Sequence, residues 1–233
     1  MRAVFKKEVI YFFSSLIGFV VPALFAAFTV FIFVKDIFIV GSFSFVNFFS
    51  VIPWIFMIFI PAVAMRAFAE ERKRNTLEVL LSLPVFERDI VLGKFFAAFF
   101  IVIIGVLLTL PLPIVLFYLA KIYPPEVIVG YLGVVFLAAS FLSFSLYISS
   151  KTNSQILAFL LSALSLFFLL VLSSDFAASV VPENILSYVN FIFPSFHFEP
   201  FTKGLIPLPS VLYFLSFVLL FLFLTVLELE RKR

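Results

Sequence analysis

Of the 233 residues, 64% are hydrophobic and only 12% are charged, against roughly 45–50% and 25% in an ordinary soluble domain. A soluble chain of this size must wet its outer surface, so lipid has to be the solvent over most of it. The absence of Cys excludes disulfides, thiol chemistry and iron–sulfur clusters, and one histidine, His197, cannot build a His-rich metal site. The 38 Phe residues read as filler for lipid-facing positions rather than as an aromatic ligand box.

The first element is an amphipathic helix over residues 1–14. Phe5, Val9, Phe12 and Phe13 fall at i, i+4, i+7 and i+8, while Arg2, Lys6 and Lys7 lie largely off that stripe. Such a helix lies along the membrane surface before the chain turns inward near Ser14 and Ser15.

Crossing a hydrocarbon core of ~30 Å takes about 20 mostly apolar residues. Six stretches qualify, at residues 16–34, 45–64, 90–119, 127–148, 155–173 and 210–227. The third is long enough to begin in the cytosol or to tilt strongly. The first is too long for the core of a cleaved leader and has no small-residue cleavage site after it, so no cleavable signal peptide is expected. The expected fold class is an all-α membrane protein, one transmembrane domain over residues 1–233.

Two connections are longer than the rest. In residues 65–89, Asn75 is placed to cap a helix whose Glu78, three residues on, completes the capping box. Leu77, Leu80 and Leu81 share one face, and Pro84 ends the run. The result is a stubby amphipathic helix over residues 75–83, tied closely to the second and third spans. In residues 174–209, Ile185, Leu186, Val189, Ile192 and Phe193 recur at helical spacing until Pro194 stops them. The Phe-rich stretch that follows is broken by Pro200, Gly204 and Pro207. Residues 181–206 therefore read as one or two short interfacial helices on the outer face. Prolines, Glu183, Glu199 and Lys203 exclude a seventh span.

Six spans put the N-terminus, the second and fourth connections and the C-terminus on one side. That side carries Arg2, Lys6, Lys7, Arg66, Arg72, Lys73, Arg74, Arg88, Lys94, Lys151, Arg231, Lys232 and Arg233; only Lys35, Lys121 and Lys203 fall on the other. The positive-inside bias makes the crowded side cytosolic. The excess positive charge is thus a topology signal and not a nucleic-acid patch.

The spans hold almost no ionisable residues away from their ends, which argues against a proton relay or an ion channel with a charged ring. The chain also lacks a phosphate-binding loop. Its one Gly-Lys pair, Gly93–Lys94, is followed by Phe95 and has no upstream glycine at the required spacing. Any ATP coupling must therefore come through a partner.

The run Phe68-Ala-Glu-Glu-Arg-Lys-Arg-Asn-Thr-Leu-Glu-Val-Leu-Leu-Ser-Leu-Pro-Val85, followed by Ile90-Val-Leu-Gly-Lys94, resembles the ABC-2 type permease family. There the usual pattern is E-E-[RK]-x-x-G-T-L-E-x-L-L-x-[TS]-P-[VL], then V-L-G-K at the next span. Pro53-Trp54 and the run from His197 to Ile206 further resemble its gliding-motility-type and copper-processing-type subgroups. Asn75 stands where that pattern often has Gly, and Phe86 where a polar cap is common.

The resemblance implies a permease subunit of an ATP-binding-cassette exporter, in which the helix over residues 75–83 couples to a soluble motor. It implies a second permease chain, identical or related, and a pair of cytosolic ATPase subunits. ATP and Mg are held by those subunits, with no cofactor on this chain and no enzyme activity of its own. The complex sits in the cell membrane with both termini cytosolic. Glu70, Glu71 and Arg72 are then candidate polar contacts to the ATPase, Thr76 and Leu77 docking residues, and Asn75 and Glu78 caps.

For a substrate pathway the candidates are Thr109, Ser140 and Ser143, with Ser145 beside them. Small polar residues also cement helix packing in membranes, and that role is the stronger expectation. Two other classes of function are compatible with the residues: a membrane anchor that recruits an ATPase without moving substrate, and a secondary transporter or channel. The latter would be favoured by a charged span residue or an inverted repeat.

Overall fold

Inside a bilayer every backbone N–H and C=O must be satisfied within the chain, which leaves helices or a closed barrel. The computed structural model uses helices alone among the residues it describes, which are 1–40, 45–73, 76, 85–119, 123–173 and 191–231. They are α1 (Arg2–Phe13), α2 (Ile17–Val40), α3 (Phe45–Ala64), α4 (Ala69–Lys73), α5 (Glu87–Leu107), α6 (Pro111–Leu119), α7 (Pro124–Lys151), α8 (Gln155–Leu172), α9 (Pro194–Thr202) and α10 (Leu208–Glu230). Six helical segments are long and apolar enough to cross a membrane: Gly18–Lys35, Phe45–Lys73, Glu87–Tyr118, Pro124–Lys151, Gln155–Leu172 and Leu208–Glu230. The chain is an all-α, multi-pass membrane protein.

The third span departs from one continuous helix. α5 stops at Leu107 and α6 begins at Pro111, because the rings of Pro111 and Pro113 cannot be accommodated against the carbonyls four residues back. The chain tightens through the break: Thr109 N–H donates to Val106 O (3.0 Å), Leu110 N–H to Leu107 O (3.1 Å) and Leu112 N–H to Thr109 O (3.2 Å). The closures onto Leu107 O and Thr109 O satisfy carbonyls that the missing N–H groups of Pro111 and Pro113 would otherwise strand.

Over residues 191–206 the structure corrects the expectation that Pro200 breaks the stretch after Pro194. Pro194 opens α9, at the first-turn position where a missing N–H costs nothing. The helix continues through Pro200 to Thr202. It closes on Gly204 at φ +77°, with Leu205 N–H donating to Pro200 O (3.0 Å) and Gly204 N–H to Phe201 O (3.1 Å). This is the paired closure that a left-handed glycine permits. Residues 181–190 of that segment lie outside the described residues.

The organising element is α7, which packs against α3, α5, α8, α9 and α10. Its inner face is built of small side chains, including Gly130, Gly133, Ala138, Ser140 and Ser143, all buried. Without water to drive helices together, close backbone approach and dispersion must do so, and small residues permit both. Phe49 of α3 lies over Gly130, and Phe201 of α9 lies over Gly133. The opposite faces are wet by lipid, with Leu219, Phe168 and Ile156 among the most exposed apolar side chains.

One end of the bundle collects charge. The start of α5, the ends of α3, α7 and α10, and the whole of α1 meet there, bringing Lys7, Arg66, Arg72, Lys94 and Lys151 together with Glu8, Glu70, Glu71 and Glu228. α1 reaches this end by lying on α5, where Gly93 leaves room for Val4. A Cβ on Gly93 would stand 2.9 Å from the Val4 side chain.

A Cβ at Gly133 would stand 2.5 Å from the Cβ of Phe201, a residue with no exposure at all. Gly133→Ala should therefore lower the melting temperature of the detergent-solubilised protein, by about 1–3 kcal/mol of overpacking. Gly105→Ala, with its nearest neighbour at 3.2 Å, should cost less. Equal melting of wild type and Gly133→Ala would mean that the α7–α9 seam yields freely.

Candidate functional site

The segment between the second and third spans begins where α3 ends. The backbone turns at residues 65–68, closed by Met65 N–H to Pro61 O (2.8 Å) and Ala67 N–H to Ala64 O (3.0 Å), and re-enters helix as α4. The new helix start has N–H groups with no partner of their own. Ser149 of α7 supplies one: its Oγ accepts from Phe68 N–H and Ala69 N–H (3.3 Å each) and donates to Met65 O (3.3 Å). One hydroxyl thus uses its donor and both lone pairs, and fastens the root of the segment to the central helix.

On one side of α4 lies a buried ionic network. The Lys94 ammonium, on a side chain only 1% exposed, is 2.9 Å from Glu8 Oε1 and 2.9 Å from Glu71 Oε1. It also faces the Phe68 ring at 5.2 Å. Lys7 reaches the same Glu71 oxygen at 3.0 Å and Glu8 at 3.6 Å. Tyr11 OH donates to Glu70 Oε1 at 2.6 Å, and Arg66 Nε stands 4.0 Å from Glu70 Oε2. Three cations and three carboxylates so balance one another across α1, α4, α5 and the end of α3.

Taking such charges out of water is costly, and each is stable there only while its partners remain. Burial favours a neutral Lys7, but the carboxylates of Glu71 and Glu8 outweigh that pull and hold its ammonium above the usual lysine value. Its contribution is therefore complete below the ordinary lysine range and fades only as pH climbs through the raised value. A cavity of about 230 Å³ opens among Lys7, Glu8, Tyr11, Arg66, Glu70, Glu71, Thr76 and Lys94.

On the other side of α4 stands Arg72. Its guanidinium donates to Ser150 O, to Thr152 O (3.4 Å) and to Asn153 Oδ1 (3.0 Å). These groups sit at the C-terminal end of α7, where carbonyls lack helical partners and the helix dipole favours a cation.

Of the seven residues expected at the ATPase face, Glu70, Glu71 and Arg72 thus direct their side chains into the chain. Thr76 is exposed and donates to Glu71 O (3.1 Å). Asn75, Leu77 and Glu78, and the helix expected over residues 75–83, lie outside the described residues. The pathway candidates are buried and turned onto backbone. Thr109 donates to Val106 O (2.7 Å) and meets Tyr131 OH (2.9 Å); Ser140 donates to Phe136 O (3.0 Å) and Ser143 to Ser140 O (2.8 Å). Such bonds suit the packing role of small polar residues in membranes. Ser145 is fully buried, and its Oγ meets no hydrogen-bond partner among the described residues.

Six members of the site escaped the sequence reading as site residues: Lys7, Glu8, Tyr11, Arg66, Lys94 and Ser149. A signal for two of them was present. Glu8 interrupts an apolar row that contains Val4 and Phe12 at four-residue spacing, and Lys94 lies inside the third apolar stretch. Each is expensive alone, so together they predict a pair.

Among the described residues no group of three or more His, Asp or Glu side chains is placed to hold a metal ion. His197 is buried in α9, its Nε2 on Phe191 O (2.9 Å), its Nδ1 on Ser210 Oγ (3.2 Å), and its ring stacked on Tyr213 at 4.0 Å. Because a carbonyl only accepts, Nε2 is the donor to Phe191 O.

Compared with known protein families, residues 2–227 match the family described as ABC-2 family transporter protein. No curated protein matches the chain.

Removing one member of the buried network should be far costlier than removing an exposed charge. Lys94→Met leaves buried Glu8 only the longer contact to Lys7 (3.6 Å) and should destabilise the protein by about 3 kcal/mol. Lys203→Met, which breaks the exposed pair with Glu199, should cost at most about 1 kcal/mol. Thermal melts of both variants in one detergent check the ordering.

Proposed function

Because the chain belongs to the ABC-2 family of transporter proteins, and so is the membrane-spanning permease part of an ABC transporter, we propose that it is the permease of an exporter driven by separate cytosolic ATPase subunits. Two permease chains form the pathway, and each offers residues 75–83 to one ATPase subunit. The observation that carries this reading is the asymmetry around α4. The residues leading into the segment are anchored to α1, α5 and α7, whereas Thr76 is exposed. A docking element needs that division, with a fixed root and an outward face.

In this reading Leu77 and Thr76 make the docking contacts, and Asn75 and Glu78 cap the docking helix. ATP binding draws the two ATPase subunits together, the docking helices move with them, and the spans tilt to open the pathway outward. The charged end of the bundle faces the cytosol, since a polybasic face belongs on that side.

The tagged chain, purified from native membranes in mild detergent, should bring a P-loop ATPase with it. Leu77→Asp, which places a carboxylate on the docking face, should release that ATPase while leaving the chain folded. If no ATPase follows the wild-type chain even after cross-linking, the permease reading fails.

Topology can be tested separately, because a chain without Cys accepts single reporters cleanly. An impermeant thiol reagent should label Glu230→Cys only from the cytosolic side and Lys203→Cys only from the outer side. The reverse pattern would invert the proposed orientation.

A further inference from the structure

We infer that Glu71 and Arg72 are not contacts to the ATPase but the two jaws of a clamp that joins the docking segment to the spans. The inference rests on the docking reading of residues 75–83. Neighbouring residues on a helix point about 100° apart, and here that angle sends two charges into two different parts of the bundle. Glu71 turns toward α1 and α5, accepting from Lys94 (2.9 Å) and Lys7 (3.0 Å). Arg72 turns the other way, onto the open carbonyls of Ser150 and Thr152 and the side chain of Asn153. Glu228, on the last turn of α10, attracts it as well.

The arrangement explains why these residues are charged at all. A segment that only had to be tethered to α3 could be held by Ser149 and by apolar packing of Phe68, which is fully buried. Those contacts fix its base but leave it free to swivel about α3. Two divergent charged arms remove that freedom, since rotation in either sense must pull Glu71 from its buried lysine or Arg72 from the carbonyls at the α7 terminus. A push on residues 75–83 then cannot be absorbed locally. Through Glu71 it reaches Lys94 at the base of the third span, and with it Glu8 of α1. Through Arg72 it reaches the end of α7, the helix on which α3, α5, α8, α9 and α10 all pack.

Glu71 and Arg72 are therefore positioning residues. They act through Lys94 and through the α7 terminus, and their loss should separate docking from transmission.

The test uses the chain with its co-purified ATPase in lipid nanodiscs. A fluorescent reporter is placed at Tyr123→Cys, an exposed site at the end of α7 far from Arg72. Mg-ATP should change the reporter signal in the wild-type background. Glu71→Gln keeps the side-chain shape and leaves Lys94 its bond to Glu8, and Arg72→Gln alters a half-exposed residue, so both variants should fold. Each should retain the ATPase in wild-type amount and still hydrolyse ATP, while the ATP-driven change at position 123 falls roughly tenfold. Arg72→Lys, which keeps a cation on the α7 carbonyls, should recover part of the signal.

A full ATP-driven change in both glutamine variants would overturn the clamp. So would loss of the ATPase from either variant, which would make the residue a docking contact. If no ATPase accompanies the wild-type chain, the docking reading itself fails and takes the clamp with it.

Discussion

A lysine ammonium enclosed by protein is tolerable only when carboxylates stand within hydrogen-bonding distance, and Lys94 has two, from elements far apart in the chain. That requirement dictates much of the architecture around it. α1 must lie on α5, because Glu8 is a partner of Lys94. The chain leaving α3 must turn back toward α5, because Glu71 is the other. Gly93, the residue just before Lys94, keeps the α1–α5 approach close enough for the first of these. The charged end is thus held by pairing and the remainder of the bundle by shape.

The two modes of cohesion divide the molecule along its length. Toward the opposite end the seams are made of rings set against glycines, with Phe49 over Gly130 and Phe201 over Gly133, and of hydroxyls turned back on their own helices. Dispersion is short-ranged and non-directional, and depends on close fit. Ion pairs in a low dielectric are directional and expensive to break. The bundle is thus pinned by charge at one end and held by shape at the other.

Much of this fold could be read from the residues, for a simple reason: lipid imposes a length and a polarity on each span, and six stretches met both. What could not be read was where helices begin and end when proline is involved. Pro111 broke a stretch that hydropathy alone joins, whereas Pro194 began a helix and Pro200 was carried within one. A proline's effect depends on its position in the turn, which periodicity does not report. Glu70, Glu71 and Arg72 were recognised as the informative residues of the segment, but their direction was legible only with their partners in place. Glu8 lies 63 positions and Lys94 23 positions from Glu71, and Ser150 at the end of α7 lies 78 from Arg72, and pairing over such distances leaves no local pattern.

The bond from Lys94 to Glu8 spans 86 positions, and this has a bearing on how the protein is made. The amino-terminal helix leaves the ribosome long before the residues that neutralise it. Until the start of the third span has entered the bilayer, Glu8 has no cation of that element to meet and must stay hydrated at the membrane face. Docking of α1 is then a late event in biogenesis although α1 is synthesised before the spans it meets. It acts as a latch that closes only on a nascent chain whose first three spans are already threaded, so a wrongly inserted third span leaves the latch open and its carboxylate exposed.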